Sequence, residues 1–390
     1  MSGLGLALGG GGSKGVYQIG VWRAFRELGL HFEAIVGTSI GAINAALMVG
    51  TDYERSLELW QNLQMEQCLA FSQNQDLKSA DLLSLKNANF LAREMFNQGG
   101  LNTQPLRDLL GKYISEESIR SSSVRFGLMT AIIPELTPQP LWIDQIPPGQ
   151  LIDFIMASAH LPGLQPVKIG DRRFIDGGVI ENVPVSMLRR MGLRRIIAVD
   201  LEQRPSLRGL IDDNTQMTFI HDKQNLGGFL DLTPEILQRN QQLGYLDAMK
   251  ALGQLNGEFY TFKPSDYDAL AKQYGQDNFF GLEQAALVYE IDRCIVYTAD
   301  EFIERIRQRR NEVQRIYEQK RQALQIDNKL RAVASGQLKI LKLLPPMKLA
   351  FLMELMTIVQ QSGHAHKIPA RLFSNLDAAA KALRAIPEDL

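Results

Sequence analysis

A Gly-x-Ser-x-Gly sequence centred on Ser39 restricts the local fold of this chain more than any other segment. A short apolar run, residues 34–36, precedes it, and the helix-favouring residues 42–48 follow it. This order predicts a strand, a sharp turn and a helix, with Ser39 at the turn. Gly37 and Gly41 are needed because a side chain at either position would collide where strand and helix pack closely. The turn would expose the Ser39 hydroxyl at a helix N-terminus, where developing negative charge is favoured.

A second glycine-rich turn lies upstream, at residues 9–15. It follows an apolar strand candidate, residues 4–8, and precedes residues 16–28, whose apolar side chains have helical spacing. Such a loop exposes backbone N–H groups that suit a phosphate or an oxyanion equally well. A P-loop is excluded because no Gly-Lys-[Ser/Thr] follows at the required spacing. The glycines also fit the dinucleotide fingerprint, which is weak by itself, and the chain continues with Glu33 and the serine turn instead of a ribose-binding strand.

The composition is that of a globular protein with a substantial core. The chain has 390 residues, 45% of them hydrophobic and 22% charged, which allows one large domain with an appended one, or two ordinary domains. The net charge of −1 gives no support to a nucleic-acid partner. Two distant cysteines, Cys68 and Cys294, favour a reducing compartment over a disulfide framework. We expect neither a signal peptide nor a transmembrane helix, and hence a cytoplasmic location.

A third turn, Asp176-Gly177-Gly178, follows a short strand candidate. An Asp-Gly-Gly sequence is most often only a turn. A helix at residues 183–191 and a buried strand at residues 195–200 come next. With a predicted strand pair at residues 126–133 and 140–143, these elements predict an α/β fold. Its parallel-dominated sheet would be flanked by helices, and its C-terminal region would be mainly helical.

Taken in this order, the three turns resemble those of the patatin-like phospholipases of the bacterial type. The matching residues are Gly10-Gly11-Gly12-Ser13-Lys14-Gly15, Gly37-Thr38-Ser39-Ile40-Gly41 and Asp176-Gly177-Gly178. Two supporting sequences match as well, Ala157-Ser158-Ala159-His160-Leu161-Pro162-Gly163 and Asn182-Val183-Pro184-Val185. The resemblance covers residues 4–205, and three ordered motifs are far more specific than any one of them.

The resemblance implies a catalytic dyad without histidine. Ser39 would attack an ester carbonyl to form an acyl-enzyme, and Asp176 would accept its proton directly. The backbone N–H groups of Gly10, Gly11 and Gly12 would hold the oxyanion. A carboxylate with an ordinary pKa of about 4 is a poor base for a hydroxyl, so we expect burial to raise the pKa of Asp176. The other motif residues would support the three turns: Ser13, Lys14, Gly15, Gly37, Gly41, Gly177 and Gly178.

Two further residues, Lys14 and His160, have roles that the motifs leave open. Lys14 either orients the loop or contacts an anionic lipid headgroup, or else it is a solvated side chain after a turn. His160 occupies a position where the family more often has a small residue. We expect it to line the pocket or to support the dyad, and not to be a catalytic participant. No metal or organic cofactor is predicted, because an acyl-enzyme route needs only a hydroxyl, a base and oxyanion donors.

We predict three parts along the chain: a catalytic domain at residues 1–205, a segment completing or extending it at residues 206–298, and a helical region at residues 299–390. Residues 300–360 contain twelve Lys or Arg and only seven Asp or Glu. This basic region contains a segment rich in Leu, Met and Phe, residues 338–353. Two hypotheses stay open: this part docks on an anionic membrane surface, or residues 338–359 pack within a helical bundle.

The predicted activity is hydrolysis of acyl esters in phospholipids, lysophospholipids or related lipids. One alternative is a lipid acyltransferase, in which an alcohol instead of water resolves the acyl-enzyme. Another is a lipid-binding signalling protein without turnover, against which the intact Ser39 and Asp176 argue. The expected partner is a lipid substrate, with peripheral association at the inner membrane surface through the basic C-terminal region.

Overall fold

The computed structural model describes residues 3–70, 100–202, 214–321, 348–361 and 374–386. The chain forms two compact units, Met1–Leu252 and Gly253–Leu390. The boundary falls inside the predicted middle segment, residues 206–298, so this segment contributes to both units. Among the described helices, none is both long and apolar enough to span a bilayer.

The first unit is built on a mostly parallel sheet, for which the described residues supply eight strands. The strands are β1 (Leu4–Leu8), β2 (Ala34–Thr38), β3 (Arg125–Ile133), β4 (Thr137–Trp142), β5 (Val167–Ile169), β6 (Arg172–Asp176), β7 (Arg195–Val199) and β8 (Gln216–Ile220). Strands β3, β2, β1, β7 and β8 are adjacent in this order and parallel, whereas β4, β5 and β6 are antiparallel additions around β3. The predicted α/β class and parallel-dominated sheet are confirmed.

Strand β3 is longer than β2, and β6 pairs with the part of β3 that extends beyond β2. Its residues 125–129 pair with β2, and its residues 130–133 pair with β6. Strand β4 pairs with residues 127–132 of β3 and so occupies the opposite edge. Strands β2 and β6 therefore share one edge of β3 and meet end to end. Thr38, the last residue of β2, lies opposite Met129, and Asp176, the last residue of β6, lies opposite Thr130.

Helices cover this sheet, and the strongest helix contact involves two glycines. The helices are α1 (Val16–Glu27), α2 (Ile40–Gly50), α3 (Tyr53–Gln61), α4 (Gln104–Tyr113), α5 (Glu116–Ser121), α6 (Leu151–Ser158), α7 (Val185–Arg190) and α8 (Pro234–Ala251). A Cβ atom at Gly20 would lie 1.8 Å from the Gln241 carbonyl oxygen, and one at Gly244 would lie 2.0 Å from that of Tyr17. Because α1 and α8 approach so closely, α8 belongs to the catalytic unit.

The second unit is mainly helical, as predicted. Its elements are β9 (Thr261–Phe262), α9 (Pro264–Tyr274), α10 (Gln276–Val288), β10 (Val296–Tyr297), α11 (Ala299–Arg321), α12 (Lys348–Gln361) and α13 (Ser374–Leu383). Phe351, Leu352 and Met353 of α12 are buried in its core. This agrees with the helical-bundle alternative for these residues, whereas residues 338–347 lie outside the described part of the chain.

Candidate active site

Ser39 lies on a strained turn between β2 and α2. Its φ of 57° and ψ of −127° are unusual for a residue other than glycine, and such conformations cost about 1–3 kcal/mol. A Cβ atom at Gly37 would lie 2.1 Å from the carbonyl oxygen of Gly41, and one at Gly41 would lie 2.2 Å from that of Leu8. The structure thus shows the close strand–helix approach for which these glycines were predicted.

The end-to-end meeting of β2 and β6 brings Ser39 to Asp176. The Ser39 side chain lies beside the Asp176 carboxylate, close enough to affect its pKa, and each residue is only 5% exposed. Burial has the largest effect on Asp176 and raises the pKa of its carboxyl group. The Ser39 side chain, the hydrogen bond from the Gly178 amide and the charge of His160 each lower this pKa, but burial outweighs them. The carboxylate is therefore a stronger base than an exposed aspartate.

The backbone around Asp176 holds the carboxylate in place. The Gly178 N–H donates to its Oδ1 at 2.7 Å, and the Asp176 N–H donates to the His160 carbonyl oxygen at 2.8 Å. A Cβ atom at Gly177 would lie 2.2 Å from the Met129 carbonyl oxygen. The two glycines of the Asp-Gly-Gly turn thus allow a close approach to β3 and supply a hydrogen-bond donor.

His160 is buried behind this turn. Its Nε2 lies 3.3 Å from the carbonyl oxygen of Leu164, and its Nδ1 is buried without a hydrogen-bond partner in the described residues. The charge of the His160 side chain acts on the Asp176 carboxylate, whereas the backbone carbonyl oxygen of His160 accepts the hydrogen bond from the Asp176 N–H. In the described residues His160 lines neither of the two cavities that meet at Ser39, so the pocket-lining role, one of the two expected, is not observed, and the arrangement agrees with the other, support of the dyad.

The glycine loop reaches the same point, but its amides differ in their partners. The Gly10 N–H donates to Asn182, at 3.2 Å to the side-chain oxygen and 3.3 Å to the carbonyl oxygen. The Ser13 N–H donates to the Phe229 carbonyl oxygen at 2.8 Å. In the ranges that the structure describes, the amides of Gly11 and Gly12 have no intramolecular acceptor. Of the three predicted oxyanion donors, Gly11 and Gly12 are thus available, and Gly10 is already engaged.

The amide of Ser39 is also engaged. It donates to the hydroxyl of Ser158 at 3.0 Å, and this hydroxyl donates to the Met129 carbonyl oxygen at 2.7 Å. Ser158 therefore ties the serine turn to β3 and α6. The candidate nucleophile does not contribute its own amide as an oxyanion donor in this arrangement.

A buried hydrogen-bond network supports both ends of the glycine loop. Gln18 Nε2 donates to the Gly9 carbonyl oxygen at 2.8 Å, and Asn44 Nδ2 donates to the Gly15 carbonyl oxygen at 2.9 Å and to Gln18 Oε1 at 2.8 Å. The Trp60 indole donates to Asn44 Oδ1 at 3.0 Å. Since these groups are fully hydrogen-bonded and buried, they hold the loop rigidly against α2.

The remaining motif residues also lie in or beside the loop. A Cβ atom at Gly15 would lie 2.4 Å from Cγ1 of Ile40, so the end of the loop packs directly on α2. The Ser13 hydroxyl donates to the Gly228 carbonyl oxygen at 3.1 Å. Lys14 is partly exposed at the end of this loop, and its role stays a prediction.

Two cavities meet at Ser39. The first has a volume of about 370 Å³ and a mixed lining, in which Asp176, Asn182 and Asp200 lie among apolar residues such as Leu161 and Phe229. It is the more polar of the two, and we call it the polar cavity. The second has a volume of about 350 Å³ and an almost wholly apolar lining that includes Ile43, Trp60, Leu63, Leu69, Leu101 and Leu106. Pockets of this size bind small-molecule or lipid-sized ligands. The described ranges contain no cluster of His, Cys, Asp or Glu that could hold a metal ion.

Sequence reasoning assigned no role to several residues that build this site. Asn182 holds the glycine loop, Ser158 holds the serine turn, and Asp200 lines the polar cavity, where burial raises the pKa of its carboxyl group. Asn182 and Ser158 lie in the two supporting sequences that matched the family, which was the available signal. Their partners are distant in sequence and could not be inferred from spacing.

A serine on a sharp turn between a strand and a helix of an α/β fold is the arrangement of a nucleophile elbow. Residues 6–189 match the model of the patatin-like phospholipase family, and this range includes all three turns. The resemblance seen in the three turns is thereby confirmed.

The curated relatives are much longer proteins. Lysophospholipase NTE1 of Scheffersomyces stipitis is 26% identical over 292 residues, which cover 67% of this chain and 16% of the relative. Lysophospholipase NTE1 of Chaetomium globosum is 26% identical over a range that covers 74% of this chain and 18% of the relative. The chain thus spans less than a fifth of the length of these fungal relatives. The bacterial subtype stays a prediction.

Among solved structures, that of VipD from Legionella pneumophila covers 100% of this chain and 89% of its own chain. The sequence identity is 15% and the TM-score is 0.43. This likeness is too distant to inform the fold or the function.

Proposed function

We propose that this protein is a serine acyl hydrolase that cleaves ester bonds of phospholipids, lysophospholipids or related acyl lipids through an acyl-enzyme. The close approach of the Ser39 side chain to the buried Asp176 carboxylate, at the junction of a polar and an apolar cavity, carries this proposal. The family match of residues 6–189 and the names of the lysophospholipase relatives support it.

In the proposed reaction Asp176 removes the Ser39 proton as the hydroxyl oxygen attacks the ester carbonyl. Burial makes Asp176 a better base, because it raises the pKa of the carboxyl group towards the operating pH. The protonated Asp176 then gives its proton to the departing alcohol, which leaves an acyl group on Ser39. In the second half, Asp176 takes a proton from a water molecule that attacks the acyl-enzyme. It returns this proton to the Ser39 oxygen as the acyl–oxygen bond breaks and the fatty acid is released.

We assign the oxyanion to the amides of Gly11 and Gly12. These N–H groups have no other acceptor in the described residues and lie on a loop that lines both cavities beside Ser39. A buried network fixes the loop, so the donors need little reorganisation when charge develops on the carbonyl oxygen. Gly10 acts indirectly, as the point at which Asn182 anchors the loop.

The two cavities divide the substrate between them. The acyl chain occupies the apolar cavity along Ile43, Trp60 and Leu63, where it is shielded from water. The alcohol half, which bears the polar headgroup in a lipid, occupies the polar cavity beside Asn182 and Asp200. The ester carbonyl between them then lies at Ser39, which lines both cavities.

Labelling with a fluorophosphonate tests the nucleophile directly. We expect the full chain to be labelled, to hydrolyse a soluble short-chain p-nitrophenyl ester and to release fatty acid from lysophosphatidylcholine. Ser39→Ala should lose all three properties, and Asp176→Asn should lose turnover. Ser121→Ala, a change on exposed α5, is the matched control and should behave as the wild type. Undiminished labelling of Ser39→Ala would contradict the proposal.

The absence of histidine from the dyad has its own test. His160→Ala should retain most of the turnover, since the Asp176 carboxylate keeps its position beside Ser39 and its hydrogen bond from the Gly178 amide. A loss of turnover in His160→Ala as deep as that in Ser39→Ala would show instead that the histidine takes part in proton transfer.

A further inference from the structure

Two hairpins of the first unit extend beyond the edge of the sheet that is formed by the carboxyl ends of its parallel strands, where Ser39 lies. Strand β3 continues for four residues past Met129, the partner of Thr38, which corresponds to about 13 Å. The loop to β4, residues 134–136, lies at the far end of this extension. Strand β6 pairs with the same extension and β5 pairs with β6, so the β5–β6 hairpin extends in the same direction.

The exposed apolar side chains of this unit collect at the same edge. Within its described residues, the large hydrophobic side chains that are exposed are Leu136 (49%), Val179 (52%) and Ile180 (37%). Leu136 lies at the tip of the β3–β4 hairpin, and Val179 lines the polar cavity. The next residue after Ile180 accepts a hydrogen bond from the Thr38 hydroxyl at 3.0 Å, which places this segment over the end of β2.

The β5–β6 hairpin adds a cluster of unpaired positive charge. Lys168 and Arg173 lie directly opposite each other, and Arg172 precedes Arg173. All three are exposed, and in the described parts of the chain none has an ion pair with an acidic side chain. Two like charges in directly opposed positions of a sheet repel each other. Exposed acidic residues on the two hairpins are Asp171 and Glu135, and neither neutralises the pair.

We propose that this face, defined by Leu136, Lys168, Arg172, Arg173, Val179 and Ile180, docks on an anionic lipid surface. The basic side chains contact anionic headgroups, which relieves the repulsion between Lys168 and Arg173, and the apolar side chains enter the headgroup boundary. The inference rests on the proposed function, because docking of this face holds the polar cavity and Ser39 against the lipid that supplies the substrate.

Vesicle flotation of the full chain tests the proposal, with Ser39→Ala as the background so that the lipid is not consumed. We expect binding to phosphatidylcholine vesicles that contain phosphatidylglycerol, and much weaker binding to phosphatidylcholine alone. Adding Lys168→Ala and Arg173→Ala together should weaken binding about thirtyfold, since each basic residue at an anionic surface contributes a factor of about five. Leu136→Ser should weaken binding without changing its dependence on salt.

Arg194→Ala with Arg195→Ala is the matched control. It removes two adjacent exposed arginines at the start of β7, on the opposite edge of the same sheet. Binding of this control should equal that of the parent. Equal loss in both double variants, equal binding to both kinds of vesicle, or no binding to either kind would overturn the proposal.

A soluble ester separates this proposal from the proposed function. With Ser39 intact, the Lys168/Arg173 double variant should hydrolyse a short-chain p-nitrophenyl ester at the wild-type rate and lose activity only on vesicles. Failure of the wild type to hydrolyse the soluble ester would remove the proposed function. Flotation judges the docking face independently of that result.

Discussion

The side-chain oxygen of Asn182 accepts the N–H of Gly10 at 3.2 Å, and the Asn182 Nδ2 donates to the Gly10 carbonyl oxygen at 3.4 Å, across 172 residues of sequence. One side chain thus holds both the N–H and the carbonyl oxygen of Gly10, at the start of the glycine loop. The loop carries the two amides assigned to the oxyanion, so Asn182 positions them without contacting substrate carbonyl oxygen itself.

Removal of this anchor should impair the chemical step. We expect Asn182→Ala to lower kcat about a hundredfold with little change in KM, because misplaced oxyanion donors weaken transition-state binding more than substrate binding. Asn182→Asp keeps an acceptor for Gly10 but loses the donor, and should lie between the two. Steady-state kinetics on a soluble ester measures both parameters. A wild-type kcat in Asn182→Ala would contradict the positioning role.

The backbone strain at Ser39 predicts an unusual pair of stabilities. Ser39→Gly should unfold at a higher temperature than Ser39→Ala by about 2–6 °C, because glycine accepts a φ of 57° without the steric cost that alanine retains. Both variants should be inactive, so the comparison isolates the backbone. Differential scanning calorimetry provides the measurement. Equal unfolding temperatures would mean that the turn stores no strain.

Because burial raises the pKa of Asp176, its ionised carboxylate should destabilise the folded protein at neutral pH, although this form is the one that acts as a base. In the folded protein the protonated carboxyl group is favoured, so its contribution to the free energy of unfolding is complete below the unfolded pKa of about 4 and is lost as the pH rises through the folded pKa. Asp176→Asn should therefore unfold at a higher temperature than the wild type at pH 7. The difference should shrink as the pH falls through the folded pKa and should vanish below about 4. A variant less stable than the wild type at pH 7 would refute this sign.

The same pKa governs the pH dependence of turnover. Asp176 must be ionised to act as a base, so kcat/KM should fall with decreasing pH at a midpoint above the ordinary range of aspartate, near 4. His160→Gln should move this midpoint to higher pH, because the charge of His160 lowers the pKa of Asp176. A pH–rate profile of both proteins is the measurement, and a midpoint that shifts to lower pH would rule out this electrostatic contribution.

The apolar cavity predicts selectivity for the acyl chain. Leu63 is partly exposed and lines this cavity, so Leu63→Trp should narrow it without overfilling the core. We expect kcat/KM for a long-chain ester to fall about tenfold or more, while that for a butyrate ester stays unchanged. Leu57→Trp, on the same stretch of chain and outside the lining of the cavity, is the control. An equal loss for both chain lengths would argue against an acyl-binding role.

The parts of the site that were predictable from sequence depend on local steric rules. Gly37 and Gly41 are required by the short distance between β2 and α2, and this requirement is visible in a stretch of five residues. The convergence of the glycine loop on Ser39 followed as well, because the carboxyl ends of adjacent parallel strands meet at one edge of a sheet. Strand β6 is antiparallel, so Asp176 could be assigned only through the family resemblance.

The parts that were missed depend on register and on distant packing. That β6 follows β2 along the same edge of β3 results from the extra length of β3, which no local pattern reveals. The engagement of Gly10 by Asn182 requires two segments 172 residues apart to align within a few tenths of an ångström. The close packing of α8 on α1 at Gly20 and Gly244 is likewise a contact between distant helices. The spacing of apolar residues within either helix does not predict it.

The position of Ser39 between two chambers has a consequence for the order of product departure. After the first half-reaction the released alcohol can leave through the polar cavity, while the acyl chain stays covalently attached to Ser39 and remains in the apolar cavity. The vacated space of about 370 Å³ is then open to whichever nucleophile enters it first. Water in that space ends the cycle as hydrolysis, and a second alcohol ends it as exchange, so the occupant of the emptied chamber decides between the two outcomes.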